Sequence, residues 1–170
     1  MKVLFSYGKT IDAGEARLHA FEAVARKYGI ELENVPYEHD CPADDRAAIL
    51  LDVVKRQSDP SSLILVGSSM GCYGSVLASM QVPVLGMFLI SPALFMYKVN
   101  DYSLTGSKYT AFVVGWNDPV IPVDKVLDYV HSEKAEVHVL PEDHHMVSLV
   151  DYLAGLFDTF LSRIVAGQRR

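Results

Sequence analysis

The sequence predicts an α/β protein: a three-layer α/β/α sandwich forming a single domain over residues 1–170, built on a mainly parallel sheet of about six strands. Short apolar runs alternate about six times with segments whose apolar residues recur at helical spacing. Such alternation builds βαβ units with right-handed crossovers. Several runs, Val3-Leu4-Phe5 and Leu63-Ile64-Leu65-Val66 among them, are apolar without a polar face, as strands covered by helices on both sides must be. The length of 170 residues, half of them hydrophobic and 21% charged, suits one domain with a substantial core.

The elements follow in order. Residues 2–7 read as a first strand running into the polar loop Ser6-Tyr7-Gly8-Lys9-Thr10. Asp12 and Glu15 are spaced as a capping box. Leu18, Phe21, Val24 and Tyr28 then mark a helix face, and Gly29 closes the helix. Residues 31–36 are a weaker second strand. A second helix opens at Cys41-Pro42-Ala43-Asp44-Asp45, turns Ile49, Leu50, Val53 and Val54 inward, and is broken by Ser58-Asp59-Pro60-Ser61-Ser62. The third strand starts at Leu63 and ends in Gly67-Ser68-Ser69-Met70-Gly71, after which residues 72–80 are helical. Residues 84–90 form a buried strand between Pro83 and Ser91-Pro92. Residues 93–107 have mixed character. Residues 108–114 form a fifth strand closed by Gly115. Pro122 starts a helix at its first position, with Val123, Val126, Leu127 and Val130 on one side. Residues 135–140 alternate as a sixth strand. Residues 147–164 are a long last helix, with Leu149, Val150, Leu153, Leu156, Phe157, Phe160 and Leu161 inward, and Gln168-Arg169-Arg170 is a frayed tail.

Composition excludes several function classes. A net charge of -6 argues against nucleic acid, which needs a basic face. No apolar run reaches the length of a membrane span, and the apolar part of the N-terminus is too short for a signal peptide. Cys41 and Cys72 make neither a disulfide framework nor a metal-ligand spacing, so a reducing cytoplasm is the expected compartment. No G-x-G-x-x-G follows a strand, and no metal or organic cofactor is implied.

Ligands on parallel sheets of this kind bind outside the carboxyl ends of the strands. Gly67-Ser68-Ser69-Met70-Gly71 has the G-x-S-x-G form, which places Ser69 on a sharp strand-to-helix turn with its hydroxyl exposed. Trp116-Asn117-Asp118-Pro119 follows the fifth strand, and Glu142-Asp143-His144-His145 follows the sixth. A serine hydroxyl needs a neighbouring base, an imidazole can supply it, and a buried carboxylate can orient the imidazole. Ser69, His144 and Asp118 are therefore the candidate nucleophile, base and orienting acid. His145 is the alternative to His144, since adjacent residues cannot both face the serine. Asp124 and Asp128 are alternatives to Asp118. The oxyanion donors are expected to be the backbone N–H groups of Met70 and Lys9, with Gly8 permitting close approach. Asp143 reads as a turn former or cap. His138 reads as an edge residue, His19 and His131 as solvent-facing and Trp116 as packing. Cys72 reads as core, and His39 is a minor candidate for the pocket.

These residues together resemble small α/β-hydrolase-fold serine hydrolases, the group of YqiA-like esterases and related bacterial hydrolases. The resemblance spans nearly the whole chain. It rests on residues 2–9, on Leu65-Val66-Gly67-Ser68-Ser69-Met70-Gly71, on Val114-Gly115-Trp116-Asn117-Asp118-Pro119-Val120-Ile121-Pro122 and on Leu140-Pro141-Glu142-Asp143-His144-His145-Met146. It implies a reduced α/β-hydrolase fold without the first two strands and without a cap domain. The implied activity is cleavage of a small acyl substrate through a Ser-His-Asp triad and an acyl-enzyme. Its register makes His144 the base. The sequence departs from the family at Tyr7, where His is usual, and at Cys72, where Gly is common. The Tyr7 loop motivates the alternative of a non-catalytic binding module that keeps the fold. Residues 93–107 are the one candidate cover, with Leu94, Phe95, Met96 and Tyr97 as an apolar wall.

Overall fold

The sheet of the computed structural model holds β1 (Lys2–Ser6), β2 (Glu31–Asn34), β3 (Leu63–Ser68), β4 (Val84–Ile90), β5 (Ser107–Gly115) and β6 (Glu136–Leu140). The structure describes residues 1–8, 11–38, 40–97 and 102–168, with residues 11–13 described by their backbone alone. Every strand pairing is parallel, in the order β2-β1-β3-β4-β5-β6. The helices are α1 (Ile11–Lys27), α2 (Ala43–Lys55), α3 (Met70–Gln81), α4 (Val123–Glu133) and α5 (Val150–Gln168). Six strands and the alternation with helices are as the sequence pattern predicts.

The unbroken apolar runs are explained by two cores, one on each face. Val3, Phe5, Ile64 and Val66 face one core, which α1 and α5 cover with Phe21, Leu153, Phe157 and Leu161. Leu4, Leu63 and Leu65 face the other, covered by α2, α3 and α4 through Leu50, Val54, Val76, Val126 and Val130. Alternate residues of each central strand thus enter different cores, and neither set can be polar. Phe157 lies at the centre of its core. It is fully buried, with ring centroids 4.8 Å from Phe21 and 5.4 Å from Phe88.

Several boundaries differ from the sequence reading. α1 begins at Ile11, so Asp12 lies within its first turn instead of capping it. Pro122 occupies the N-cap position of α4, with φ -65° and ψ 100°, and the helix starts at Val123. The extended ψ of Pro122 lets the chain turn in from the Asp118 loop before helical geometry sets in. Residues 147–149 form a separate 3-10 turn, and α5 continues through Gln168. Gly29 closes α1 with φ +67°, and the Ile30 N–H donates to the Ala25 carbonyl at 3.1 Å. In the segment 93–107, Leu94 enters the core and Phe95 packs against it, so only Met96 and Tyr97 of the expected apolar wall face the cavity beside Ser69. Both turn inward because a 3-10 turn over Leu94–Met96 rotates successive side chains to different sides.

The strand order fixes where a ligand can sit. From β1 the chain runs to β2 on one side and from its neighbour β3 to β4 on the other, so the connections diverge and open a crevice between the carboxyl ends of β1 and β3. Removing the ring at that core's centre should be costly. Phe157→Ala should lower unfolding stability by about 3–5 kcal/mol, measured by urea titration followed by circular dichroism.

Candidate active site

Ser69 is the residue between β3 and α3, and its backbone is forced. Its φ is 53° and its ψ -115°, a conformation that costs a non-glycine residue roughly 1–3 kcal/mol. Three backbone hydrogen bonds hold it. The Ser69 N–H donates to the Ile90 carbonyl at 2.8 Å, and the Ser69 carbonyl accepts from Cys72 at 3.0 Å and Ala93 at 3.2 Å. The flanking glycines permit the turn. A β-carbon at Gly71 would overlap the Ser6 carbonyl, and one at Gly67 would lie 2.7 Å from Cys72 Cα. The turn is therefore pressed directly against the end of β1.

His144 comes from the loop after β6. Its carbonyl accepts from Ser91 Oγ at 2.9 Å. Asp143 shapes the loop by accepting from the N–H groups of His145 (2.8 Å) and Met146 (3.1 Å) through Oδ1. These two amides hold the Asp143 carboxyl below the usual carboxylate range. The His144 ring reaches back across the strand ends. Its Nε2 lies 2.9 Å from Ser69 Oγ, and its Nδ1 lies 2.8 Å from Asp118 Oδ2. Asp118 accepts with its other oxygen from the N–H groups of Val120 and Ile121, each at 2.8 Å. Its side chain is 3% exposed and that of His144 is 10% exposed. An acceptor at Nδ1 selects the tautomer with the proton there, which leaves Nε2 free to accept from the Ser69 hydroxyl. The arrangement can activate a hydroxyl and carry its proton.

The other predicted residues distribute as follows. Met70 is the first residue of α3, so its N–H has no acceptor within the helix. Lys9 and His39 lie outside the described residues. His145 is exposed and lines the cavity beside Ser69, its ring 5.3 Å from that of His144, but it is not hydrogen-bonded to Ser69; the alternatives Asp124 and Asp128 are exposed and do not line that cavity. His19 and His131 face solvent, and His138 sits on edge strand β6 with Nε2 2.8 Å from Glu136 Oε1. Trp116 does not pack: its residue is 55% exposed, because the turn after β5 ties its backbone N–H to the Leu140 carbonyl and carries the ring outward. Cys72 is core. Burial pushes its thiol far above the usual range, and its Sγ donates to the Ile90 carbonyl at 3.3 Å.

Two arginines near the site escaped the sequence reading. Arg46 on α2 is buried. Its Nη1 donates to the carbonyls of Tyr7 (3.1 Å) and Gly8 (3.3 Å), and its Nε to Cys41 (3.1 Å). Its guanidinium lies 4.6 Å from the Tyr37 ring and 5.4 Å from the Tyr7 ring. Burial raises the Tyr37 hydroxyl to about 12, so it stays neutral while sharing a 2.8 Å hydrogen bond with Ser6 Oγ. Arg46 is thus the hydrogen-bonding anchor of the Tyr7-Gly8 loop. Arg17 on α1 is equally buried and bonds to Ser68 and His145. A signal for both was present: each falls on the apolar face of its helix, Arg17 four residues before Phe21 and Arg46 four before Leu50.

A cavity of about 260 Å³ opens beside the serine, walled by Gly8, Ser69, Met70, Met96, Tyr97 and His144 among others. A second cavity, of about 430 Å³, lies between Lys108, Glu136 and Arg163 at the amino ends of β5 and β6. Parallel sheets bind ligands at the opposite ends, so the first cavity is the candidate site. Among the described residues, no cluster of His, Cys, Asp and Glu could hold a metal ion, and no helix is long and apolar enough to cross a membrane.

No protein-family model and no curated sequence matches the chain. Solved structures do. A member of the alpha/beta hydrolase superfamily from Xanthomonas campestris pv. campestris superposes with a TM-score of 0.86 at 21% identity, over 95% of this chain and 98% of its own. The chain has the α/β-hydrolase fold. The mouse alpha/beta hydrolase domain-containing protein 10 has a TM-score of 0.77 at 14% identity, covering 96% of this chain and 90% of its own. A lidless a/b serine hydrolase from Xanthomonas campestris has 0.74 at 14% identity, covering 95% and 81%. Within this α/β-hydrolase fold, the sheet is the reduced six-stranded form. The two free cysteines offer a direct check on the packing under the elbow. Half-exposed Cys41 should react with a thiol reagent in native protein, and Cys72 only after unfolding. Native titration should therefore give one thiol per chain of the two in the sequence.

Proposed function

We propose that this protein is a serine hydrolase of the carboxylesterase or thioesterase type, cleaving a small acyl ester through an acyl-enzyme. The supporting observation is the chain of hydrogen bonds from Ser69 Oγ through His144 to Asp118, at 2.9 and 2.8 Å. Ser69 Oγ attacks the substrate carbonyl carbon as its proton passes to His144 Nε2. The carbonyl oxygen becomes an oxyanion facing the Met70 N–H, with the second donor supplied by the Gly8-Lys9 loop. Each such donor contributes roughly 3–4 kcal/mol in comparable sites. Collapse restores the carbonyl and breaks the bond to the leaving alcohol or thiol, which takes the proton from Nε2. Water then attacks the acyl-enzyme, yields its proton to His144, and releases the acid with Ser69 regenerated. Asp118 stays ionised and stabilises the imidazolium. The cavity beside Ser69, about 260 Å³, favours a small acyl group.

Ser69→Ala should reduce turnover of short-chain p-nitrophenyl esters on the order of 10⁴- to 10⁶-fold, with an unchanged melting curve. Wild-type protein should take up one fluorophosphonate label at Ser69. Retained turnover in the variant would defeat the Ser69 mechanism, and folded wild-type protein that takes no label would favour a non-catalytic binding module. Arg46→Met should loosen the Tyr7-Gly8 loop. It should lower kcat by about tenfold or more with little change in KM, since an oxyanion donor acts on the transition state alone.

A further inference from the structure

We propose that Arg17 makes the cavity beside Ser69 a recognition site for a carboxylate, so that the preferred substrate is an ester carrying an anionic group, such as a half-ester of a small dicarboxylic acid. The inference rests on the serine hydrolase reading and deepens it to a substrate class.

Arg17 is 3% exposed, yet it forms part of the wall of the cavity that holds Ser69 and His144. A guanidinium stays charged even where burial lowers its affinity for the proton, as it does here. Its hydrogen bonds go to neutral acceptors: Nη1 to Ser68 Oγ at 2.7 Å and Nη2 to the His145 carbonyl. Its Nε has no partner among the described residues. No ion pair joins Arg17 to a carboxylate among the described residues, whereas half-buried Lys2 pairs with Glu31 and Glu33 and exposed Lys27 with Asp158. Asp143 acts on it only from a distance, and that carboxylate already accepts two backbone N–H groups.

A cation taken out of water with no counter-ion is expensive, and a carboxylate bound in this cavity would supply the missing charge. The comparison with Arg46 sharpens the point. That residue is just as buried, but two aromatic faces and three carbonyls enclose it, and it is not in the cavity wall. Arg17 has five N–H donors and uses two on acceptors among the described residues. Besides the imidazoles of His144 and His145 and the phenol of Tyr97, the rest of the wall, Gly8, Met70, Ala93, Met96 and Val120 among it, offers no ionisable group. An acyl chain ending in a carboxylate would place its apolar methylenes against that wall and its charge toward the guanidinium.

A purely structural role, as a clamp between the Ser68 hydroxyl and the loop of His145, predicts a different result: its loss would affect charged and neutral esters alike. The deciding experiment compares kcat/KM for monomethyl succinate and monomethyl glutarate with that for the corresponding dimethyl esters, by pH-stat. p-Nitrophenyl acetate serves as a charge-free control. Wild-type protein should prefer at least one half-ester over its diester by about tenfold or more, the scale of one charge-assisted hydrogen bond. Arg17→Lys should keep part of that ratio, and Arg17→Gln should abolish it. Equal or better use of the diesters by wild-type protein, or a ratio that survives in Arg17→Gln, would overturn the proposal. If Arg17→Gln does not fold, inhibition of wild-type p-nitrophenyl acetate turnover decides: succinate should inhibit at about tenfold lower concentration than succinamide, and equal inhibition overturns it. Hydrolysis of p-nitrophenyl acetate without half-ester preference refutes this inference alone. The absence of any hydrolysis and of fluorophosphonate labelling refutes the enzymatic reading beneath it as well.

Discussion

The contact between the first turn of α3 and the end of β1 is the constraint on which the remaining geometry depends. Gly71 sits against the Ser6 carbonyl, and Ser6 and Gly67 are register partners across the β1–β3 pair. Because helix and strand approach so closely, the residue between them has nowhere to go but the strained conformation of Ser69. That conformation aims the hydroxyl out of the sheet and toward Gly8 on the neighbouring strand end, where a β-carbon would lie 3.0 Å from Ser69 Cβ. The strain is held by hydrogen bonds to the Ile90 carbonyl and from Ala93, so β4 as well as β3 sets the turn. Four strand ends thus act on one small volume: Gly8 beyond β1, Ser69 beyond β3, Asp118 beyond β5 and His144 beyond β6.

Most of this was legible in the sequence, and the reasons are physical. Strands covered on both faces cannot alternate, so runs such as Leu63 to Val66 announce their own burial. Turn chemistry was equally readable where it rests on a single residue, as at Gly29 or in the G-x-S-x-G run around Ser69. The convergence of Ser69, Asp118 and His144 could be anticipated because a parallel sheet puts every strand's carboxyl end on the same side. What could not be read was the support. Ser91 is one serine among many until its hydroxyl is seen holding the His144 carbonyl. The departure at Tyr7 was visible, but the anchor that accompanies it, Arg46, comes from a helix 39 residues away in sequence. Trp116 shows the opposite failure: size and hydrophobicity suggested packing, while the hydrogen-bonded turn beneath it turned the ring to solvent.

The two buried arginines divide the support between them. One secures the loop beyond β1 from the α2 side of the sheet, and the other spans from Ser68 to the loop beyond β6 from the α1 side. Both come from helices that otherwise serve as apolar covers, which is why each interrupts an apolar face. A burial cost accepted twice beside one cavity, in a chain that is acidic overall, sets this region apart from the rest of the interior.

The rims of the sheet have a consequence of their own. β2 forms one rim, and its short Glu31–Asn34 segment carries two glutamates paired with Lys2 on the adjoining strand. β6 forms the other, where Glu136 is held by His138 and Arg163. Unpaired backbone along an open margin invites another chain to add itself there, and short, charged margins discourage it. An all-parallel sheet of six strands can in this way remain finite: its growth is stopped by electrostatics and brevity at both sides, without closing into a barrel.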